Sequence, residues 1–212
     1  MTRLEISFSV NQFCQHLHSP TSAHLSAAKR VLRYLKSFVD HGLHISKGPL
    51  QLTAYCDSDW VDSPDDRRST SGFAVFLGRN LVSWSAKKQA VVSCSSTEAE
   101  YRSLAITTAE VFWIRMLFKD IKIPLFTVPT IWCGNVGALA LASNPVYHAR
   151  TKHIEVDYHF VHEKVINRDI AIKFISTADQ IADVFTKGLS FARFLFLQGA
   201  CDFISYQLAR GC

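Results

Sequence analysis

The residues with the most to offer chemically are carboxylates at the ends of apolar or periodic runs. Asp57 closes Leu52-Thr53-Ala54-Tyr55-Cys56, Glu100 falls in the first turn of a helical pattern, and Asp183 stands in a late helical stretch. Convergent carboxylates bind hard cations or do acid–base work. Dispersed carboxylates are solvated residues, or favourable charges at helix N-termini. No one of the three decides between these readings by itself. Histidines 148, 153, 159 and 162 raise a second possibility, a zinc site. His159 and His162 are three apart with no cysteine at zinc-finger spacing, so solvent-facing or hydrogen-bonded histidines are the better reading.

The elements that must position these groups follow from hydrophobic periodicity. Residues 21–36 form an amphipathic basic helix, with Leu25, Ala28, Val31, Leu32 and Leu35 on one stripe and Lys29, Arg30, Arg33 and Lys36 elsewhere. His41, Gly42 and Gly48-Pro49 interrupt it. Residues 51–84 read as strands, with Gly78-Arg79-Asn80 as a hairpin connection. Ser95-Ser96-Thr97-Glu98 and Thr97-Glu98-Ala99-Glu100 both fit a capping box, so a helix follows, burying Tyr101, Leu104, Ala105, Thr108 and Phe112. Thr130-Ile131-Trp132-Cys133 is a short buried strand, 136–142 a short helix, 153–165 a longer one and 171–176 a strand; Thr177-Ala178-Asp179 opens a final helical region. The order β-β-β-α-β-α-α-β-α gives an α/β fold, a mixed sheet covered by helices.

Bulk properties bound the function. With 48% hydrophobic and 19% charged residues the chain can build a core and has no disordered composition. A net charge of +5 is a modest indication of an anionic partner. Six cysteines without a C-x-x-C pair, and no signal peptide, suit a reducing intracellular setting, cytoplasmic or nuclear. No apolar run approaches the roughly 20 residues of a membrane span. A polymerase aspartate pair, a protease or integrase signature and a glycine-rich phosphate loop are all missing, which argues against DNA copying, DNA insertion and an actin-like ATPase.

A series of motifs identifies a family. Tyr55-Cys56-Asp57-Ser58-Asp59-Trp60, Arg67-Arg68-Ser69-Thr70-Ser71-Gly72, Ser83-Trp84-Ser85-Ala86-Lys87-Lys88-Gln89 and Ser96-Thr97-Glu98-Ala99-Glu100-Tyr101 resemble the ribonuclease H domain of copia-type LTR retrotransposon Pol polyproteins. So do Ser143-Asn144-Pro145, His148-Ala149-Arg150-Thr151-Lys152-His153-Ile154 and Asp179-Gln180-Ile181-Ala182-Asp183 with Thr186-Lys187. The resemblance covers residues 50–190, and residues 2–36 resemble the tail of the preceding reverse transcriptase. It implies three units: a connection segment (1–48), an RNase H-like domain (50–190) and a C-terminal helical extension (191–212). The fold it implies is a five-stranded mixed sheet, three antiparallel strands then parallel additions, flanked by helices. The implied reaction is two-Mg²⁺ hydrolysis of the RNA strand of an RNA/DNA hybrid, with the reverse transcriptase of the same polyprotein as neighbour.

Carried over residue by residue, the resemblance makes Asp57 the ligand shared by both metals, with Asp59 as runner-up on the same strand face. Glu100, one turn before Leu104 on the sheet-facing stripe, matches the helix glutamate, whereas Glu98 is rotated by about 200° and suits capping. Asp183 matches the last aspartate, and Asp179 falls where relatives place a polar residue beside the site. The fourth carboxylate is missing: the family reads Trp-Cys-Asp-Asn where this chain reads Trp132-Cys133-Gly134-Asn135. Three carboxylates leave the second Mg²⁺ poorly held, so the expectation is an impaired nuclease. The alternatives are a working enzyme rescued by Asn135 or water, and a silent hybrid-binding or purely structural remnant. Arg67, Arg68, Lys87 and Lys88 are candidate phosphate contacts, with Trp84 beside them for a sugar or base, against the plainer reading of a solvated basic face.

Overall fold

The computed structural model describes residues 3–63, 65–143, 154–201 and, as backbone, 203–205. A 3-10 turn at Leu4–Ile6 leads into α1 (Ser7–Cys14) and α2 (Ser22–Ser37), followed by strand β1 (His41–Leu43). The strands β2 (Leu52–Asp59), β3 (Thr70–Leu77) and β4 (Asn80–Lys88) come next, then the long helix α3 (Ser96–Asp120). Strand β5 (Thr130–Cys133), helices α4 (Val136–Ser143) and α5 (Glu155–Ile166), strand β6 (Ala171–Phe174), the single turn α6 (Asp183–Thr186), helix α7 (Phe191–Ala200) and strand β7 (Phe203–Ser205) complete the order.

The central sheet runs β4-β3-β2-β5-β6. β2, β3 and β4 are antiparallel, and β5 and β6 add in parallel beside β2. This is the expected α/β arrangement of three antiparallel strands with parallel additions. Alternation along β2 feeds two cores. Leu52, Ala54 and Cys56 face one side with Val75, Ile131, Tyr101 and Leu104, under α3, α4 and α5. Tyr55 faces the other with Ala74, Phe76, Val184, Phe185 and Leu197. The hairpin closes through Gly78, whose φ of +62° meets the left-handed requirement of the tight turn.

Two readings of the chain's end need correction. The stretch opening at Thr177 is turn and loop rather than helix until Asp183. Its buried Gln180 donates to the Cys56 carbonyl at 2.9 Å and accepts from the Ala182 amide at 3.2 Å, giving the backbone partners outside any helix. Nor is the segment after α7 wholly helical: Phe203–Ser205 pairs antiparallel with His41–Leu43 in a separate two-stranded ribbon. Two aromatic or β-branched residues, Phe203 and Ile204, are the local cue. Among the described residues no helix is long and apolar enough to cross a membrane.

Gly72 controls the approach of α6. It pairs with Asp57 in the β2–β3 register, and a Cβ there would stand 2.7 Å from Phe185 Cβ and 2.7 Å from Thr186 Cγ2. Gly72→Ala must therefore push away the turn that carries Asp183. A loss of about 1–3 kcal/mol in urea unfolding is expected, and an unchanged midpoint would show that α6 yields freely.

Candidate carboxylate site

Asp57 is buried near the end of the central strand, where β2 has partners on both sides. Its backbone carbonyl accepts the Ser103 hydroxyl at 2.8 Å, tying the strand end to α3. Helix α3 is aimed by its start: the Ser95 hydroxyl caps the Glu98 amide at 3.2 Å, and Glu98 accepts from the Cys94 amide at 2.9 Å and pairs with Arg102 at 2.9 Å. Glu98 thus has the capping role expected of it, and Glu100 turns inward. Buried Gln89 reinforces the arrangement, donating to the Ser71 hydroxyl and the Ala99 carbonyl, each at 2.9 Å. One amide thereby links β3 to the first turn of α3.

Glu100 is buried, and its Oε2 has no hydrogen-bond partner. Burial, and then the nearby charge of Asp57, push its carboxyl up to about 9. Asp183 is buried as well, and its carboxyl is raised by burial against the opposing pull of Lys187. Asp57 is the common neighbour, since its charge raises both of the others. Two of the sequence-derived site residues, Glu100 and Asp183, are therefore brought together around the third, Asp57. Asp59 sits at the rim, half-buried, its carboxyl raised by burial and then by Asp62, with Lys187, Asp57 and Asp183 also felt.

Lys187 and Thr186 are the members that the reading of the sequence left without a role. The Lys187 ammonium lies 3.0 Å from Asp57 Oδ2, 3.1 Å from Oδ1 and 2.6 Å from Asp183 Oδ1. Burial alone would lower its pKa, but Asp57 and Asp183 outweigh burial and raise it. The Thr186 hydroxyl donates to Asp57 Oδ2. Arg193 of α7 reaches within 3.6 Å of Asp183 Oδ2 and donates to the Thr177 carbonyl at 2.7 Å. The one available signal was the Thr186-Lys187 pair three and four residues after Asp183, which places Lys187 one helical turn on.

Gly134 is next in register to Asp57, because Cys56 pairs with Cys133 across the parallel β2–β5 ladder. A Cβ built on it would meet only Gln180 Nε2 at 3.6 Å and the Ile175 carbonyl at 3.9 Å, which is ordinary contact. A side chain fits here, and glycine leaves its place vacant of ligand atoms. Asn135 is committed to the start of α4, its Oδ1 accepting the Ala138 amide at 2.9 Å with Thr97 Oγ1 at 3.5 Å. Asp179 is exposed and accepts the Ser176 hydroxyl at 2.7 Å. On that segment it is Gln180 that lies beside the cluster.

For divalent ions these groups fit in part. The unpartnered oxygen of Glu100 beside Asp57 is suited to a hard cation. The Asp57–Asp183 side is already filled by an ammonium, and position 134 adds no oxygen. Consistent with that, no three His, Cys, Asp or Glu side chains among the described residues are grouped ready to hold a metal.

The basic set is divided by strand alternation. Trp84 is half-buried on the α1 side, donating to the Ser7 hydroxyl at 3.1 Å, whereas Lys87 is exposed and points the opposite way by the pleat. Trp84 and Lys87 therefore do not share a surface. Lys88 pairs with Asp66 at 2.8 Å and donates to Ser63 at 2.9 Å; Arg68 also approaches Asp66, at 3.5 Å, and Arg67 is exposed. His159 lies 4.0 Å from Glu155 and His162 stacks on Tyr158. His148 and His153 lie outside the described residues.

Comparison with known proteins adds sequence relatives. The chain is 49% identical over 190 residues to the retrovirus-related Pol polyprotein from transposon RE1 of Arabidopsis thaliana, covering 89% of this chain and 13% of that one. It is 32% identical over 186 residues to the Pol polyprotein from transposon TNT 1-94 of Nicotiana tabacum, covering 88% and 14%. The chain thus spans about an eighth of the length of these relatives. Among solved structures, LC11-RNase H1 in complex with RNA/DNA hybrid aligns with a TM-score of 0.48 at 11% identity, over 64% of this chain and 94% of that one. No family model matches the chain.

Proposed function

Because the chain belongs to the copia-type Pol polyproteins of retrotransposons and is RNase H-like in fold, we propose that its ancestral reaction is endonucleolytic hydrolysis of the RNA strand of RNA/DNA hybrids during reverse transcription, and that Gly134 impairs it. The observation that carries this reading is the convergence of Glu100 and Asp183 on Asp57, with a glycine where the neighbouring strand would supply a fourth carboxylate. In the hydrolysis, the oxygen of water bonds to phosphorus, the bond from phosphorus to one ribose oxygen breaks, and a proton passes to that leaving oxygen.

Asp57 and Glu100 would hold a Mg²⁺ ion, with Asp183 completing the set for a second. Ions so placed supply Lewis-acid stabilisation of phosphoryl oxygens and acidify water. The chain's own contribution is orientation. Ser103 and Gln180 fix the end of β2, Ser95 and Gln89 aim α3, and Arg193 steadies the loop before Asp183. The hybrid is the proposed substrate, and the reverse transcriptase of the same polyprotein, to which residues 2–36 are assigned, the proposed neighbour.

Incubating the purified chain and its Gly134→Asp variant with a hybrid and Mg²⁺ tests the reading. Slow or absent cleavage by the wild type and faster cleavage by the variant are expected; equal, robust cleavage by both would end the claim of impairment. Hybrid contact has its own test. Lys87 is exposed at the end of β4, so Lys87→Ala should lower the slope of log affinity against log salt by about 0.9. Lys88→Ala, which removes a cation already paired with Asp66, should lower it less. An unchanged slope for Lys87→Ala would exclude that lysine from the contact.

A further inference from the structure

The cation already present in the carboxylate cluster is a side chain. Lys187 Nζ lies within 3.1 Å of both Asp57 oxygens and 2.6 Å from Asp183 Oδ1, while Glu100 Oε2, on the other carboxylate that Asp57 influences, is buried without a partner. The two sides of Asp57 are thus unlike: one is neutralised from within, the other has an oxygen that lacks any donor or cation.

We propose that Lys187 is the resident cation of this cluster, holding the Asp57–Asp183 side, so that a divalent ion is admitted on the Asp57–Glu100 side and a second ion only when the ammonium is displaced. The inference rests on the reading of these carboxylates as metal ligands, and it adds which side is open and what closes the other. Sterics and charge support it together. A Mg²⁺ ion bound by Asp57 and Asp183 would sit about 2.1 Å from their oxygens, in the space between them that the ammonium occupies. Two cations within a few ångströms in a buried site repel strongly. Charge balance points the same way: in the ion-bound cluster, with all three carboxylates ionised, three negative charges and the one lysine leave two, which a single divalent ion neutralises. Lys187 is also well placed to swing aside. It stands one residue beyond α6, its side chain is about a third exposed, and its tip is held only by these carboxylates in the hydrogen bonds and ion pairs described.

The test is Mn²⁺ binding to the purified chain, followed by calorimetry and by the electron paramagnetic resonance signal of free Mn²⁺, with no nucleic acid present. The wild type should take up one ion. Lys187→Met should bind Mn²⁺ roughly tenfold more tightly or better and accept a second ion, Lys187→Gln should do the same, and Lys187→Arg should stay with one. Adding Asp183→Asn to Lys187→Met should return the stoichiometry to one. Circular dichroism melts establish that each variant is folded, and Lys187→Gln serves if the methionine variant is not. Unchanged or weaker Mn²⁺ binding by a folded, uncharged variant would overturn the proposal. Absence of Mn²⁺ binding in every variant would overturn it together with the metal-ligand reading. The expected Mn²⁺ pattern alongside robust hybrid cleavage by the wild type would uphold it and remove only the impairment assigned to Gly134.

Discussion

In EDTA at pH 8, Glu100→Gln is expected to be more stable than the wild type by about 2–4 kcal/mol in urea unfolding. The sign follows from linkage. An unfolded glutamate titrates near 4.5 and Glu100 in the folded chain near 9, so between those values the native state holds a proton that the unfolded state has released. The contribution is complete below 4.5 and is lost as pH rises towards 9, at up to about 1.4 kcal/mol per pH unit. Burial is the leading cause and the charge of Asp57 the second, so the full span is shared with a neighbour and the expected gain is set below it. Glutamine keeps the shape, needs no proton and carries no charge. Its stability should be flatter with pH over this window, though not flat, because Asp183 is shifted in the same direction. Parallel pH profiles for wild type and variant would show that Glu100 is not the group held protonated. The comparison also separates stability from function, since the substitution that stabilises the metal-free chain removes the oxygen best placed for a cation.

The elements that carry Asp57 and Glu100 were legible in the sequence because their signals are local. A closed apolar run ended by an acid marks β2, and a hydroxyl with a carboxylate three residues on marks the start of α3. The structure uses both, and the angular offset between Glu98 and Glu100 correctly divided the capping residue from the inward one. What periodicity could not show was set by tertiary contact. Gln180 follows an exposed aspartate in a polar stretch, and nothing local says that its amide spans to the end of a strand 124 residues earlier. Lys187 reads as a surface lysine until α6 is packed against β3 and β2, an approach that the missing side chain of Gly72 leaves room for. Trp84 shows the opposite failure. It stands three residues from Lys87 in a strand, an odd spacing that already places the two on opposite faces, and grouping them by proximity in the sequence overlooked the pleat.

Gly134→Asp is expected to raise the rate of hybrid cleavage on the order of 100-fold or more. The position tolerates the change: Gly134 is free of the positive φ that would strain a side chain, and the nearest atoms to a new Cβ are 3.6 Å and 3.9 Å away. It also lies one residue past the end of β5, after the Cys133 that pairs with Cys56, so a carboxylate there is expected to join Asp57, Glu100 and Asp183. A fourth carboxylate supplies negative charge that a second ion needs once the Lys187 ammonium is displaced, so the effect should be one of charge rather than of filled space. Gly134→Ala and Gly134→Asn discriminate between these causes, because alanine fills and asparagine adds oxygen without charge; both should remain close to the wild type. An asparagine variant as active as the aspartate would refute the charge argument. Gln180 supplies the remaining constraint. Its Nε2 is the first atom a new side chain meets and is already donated to the Cys56 carbonyl, so an aspartate that captured this donor would loosen the end of β2. Stability therefore has to be followed along with rate: a variant that gains activity while losing less than about 1 kcal/mol has placed its carboxylate towards the cluster, whereas a larger loss without activity means that it has paired with Gln180 instead.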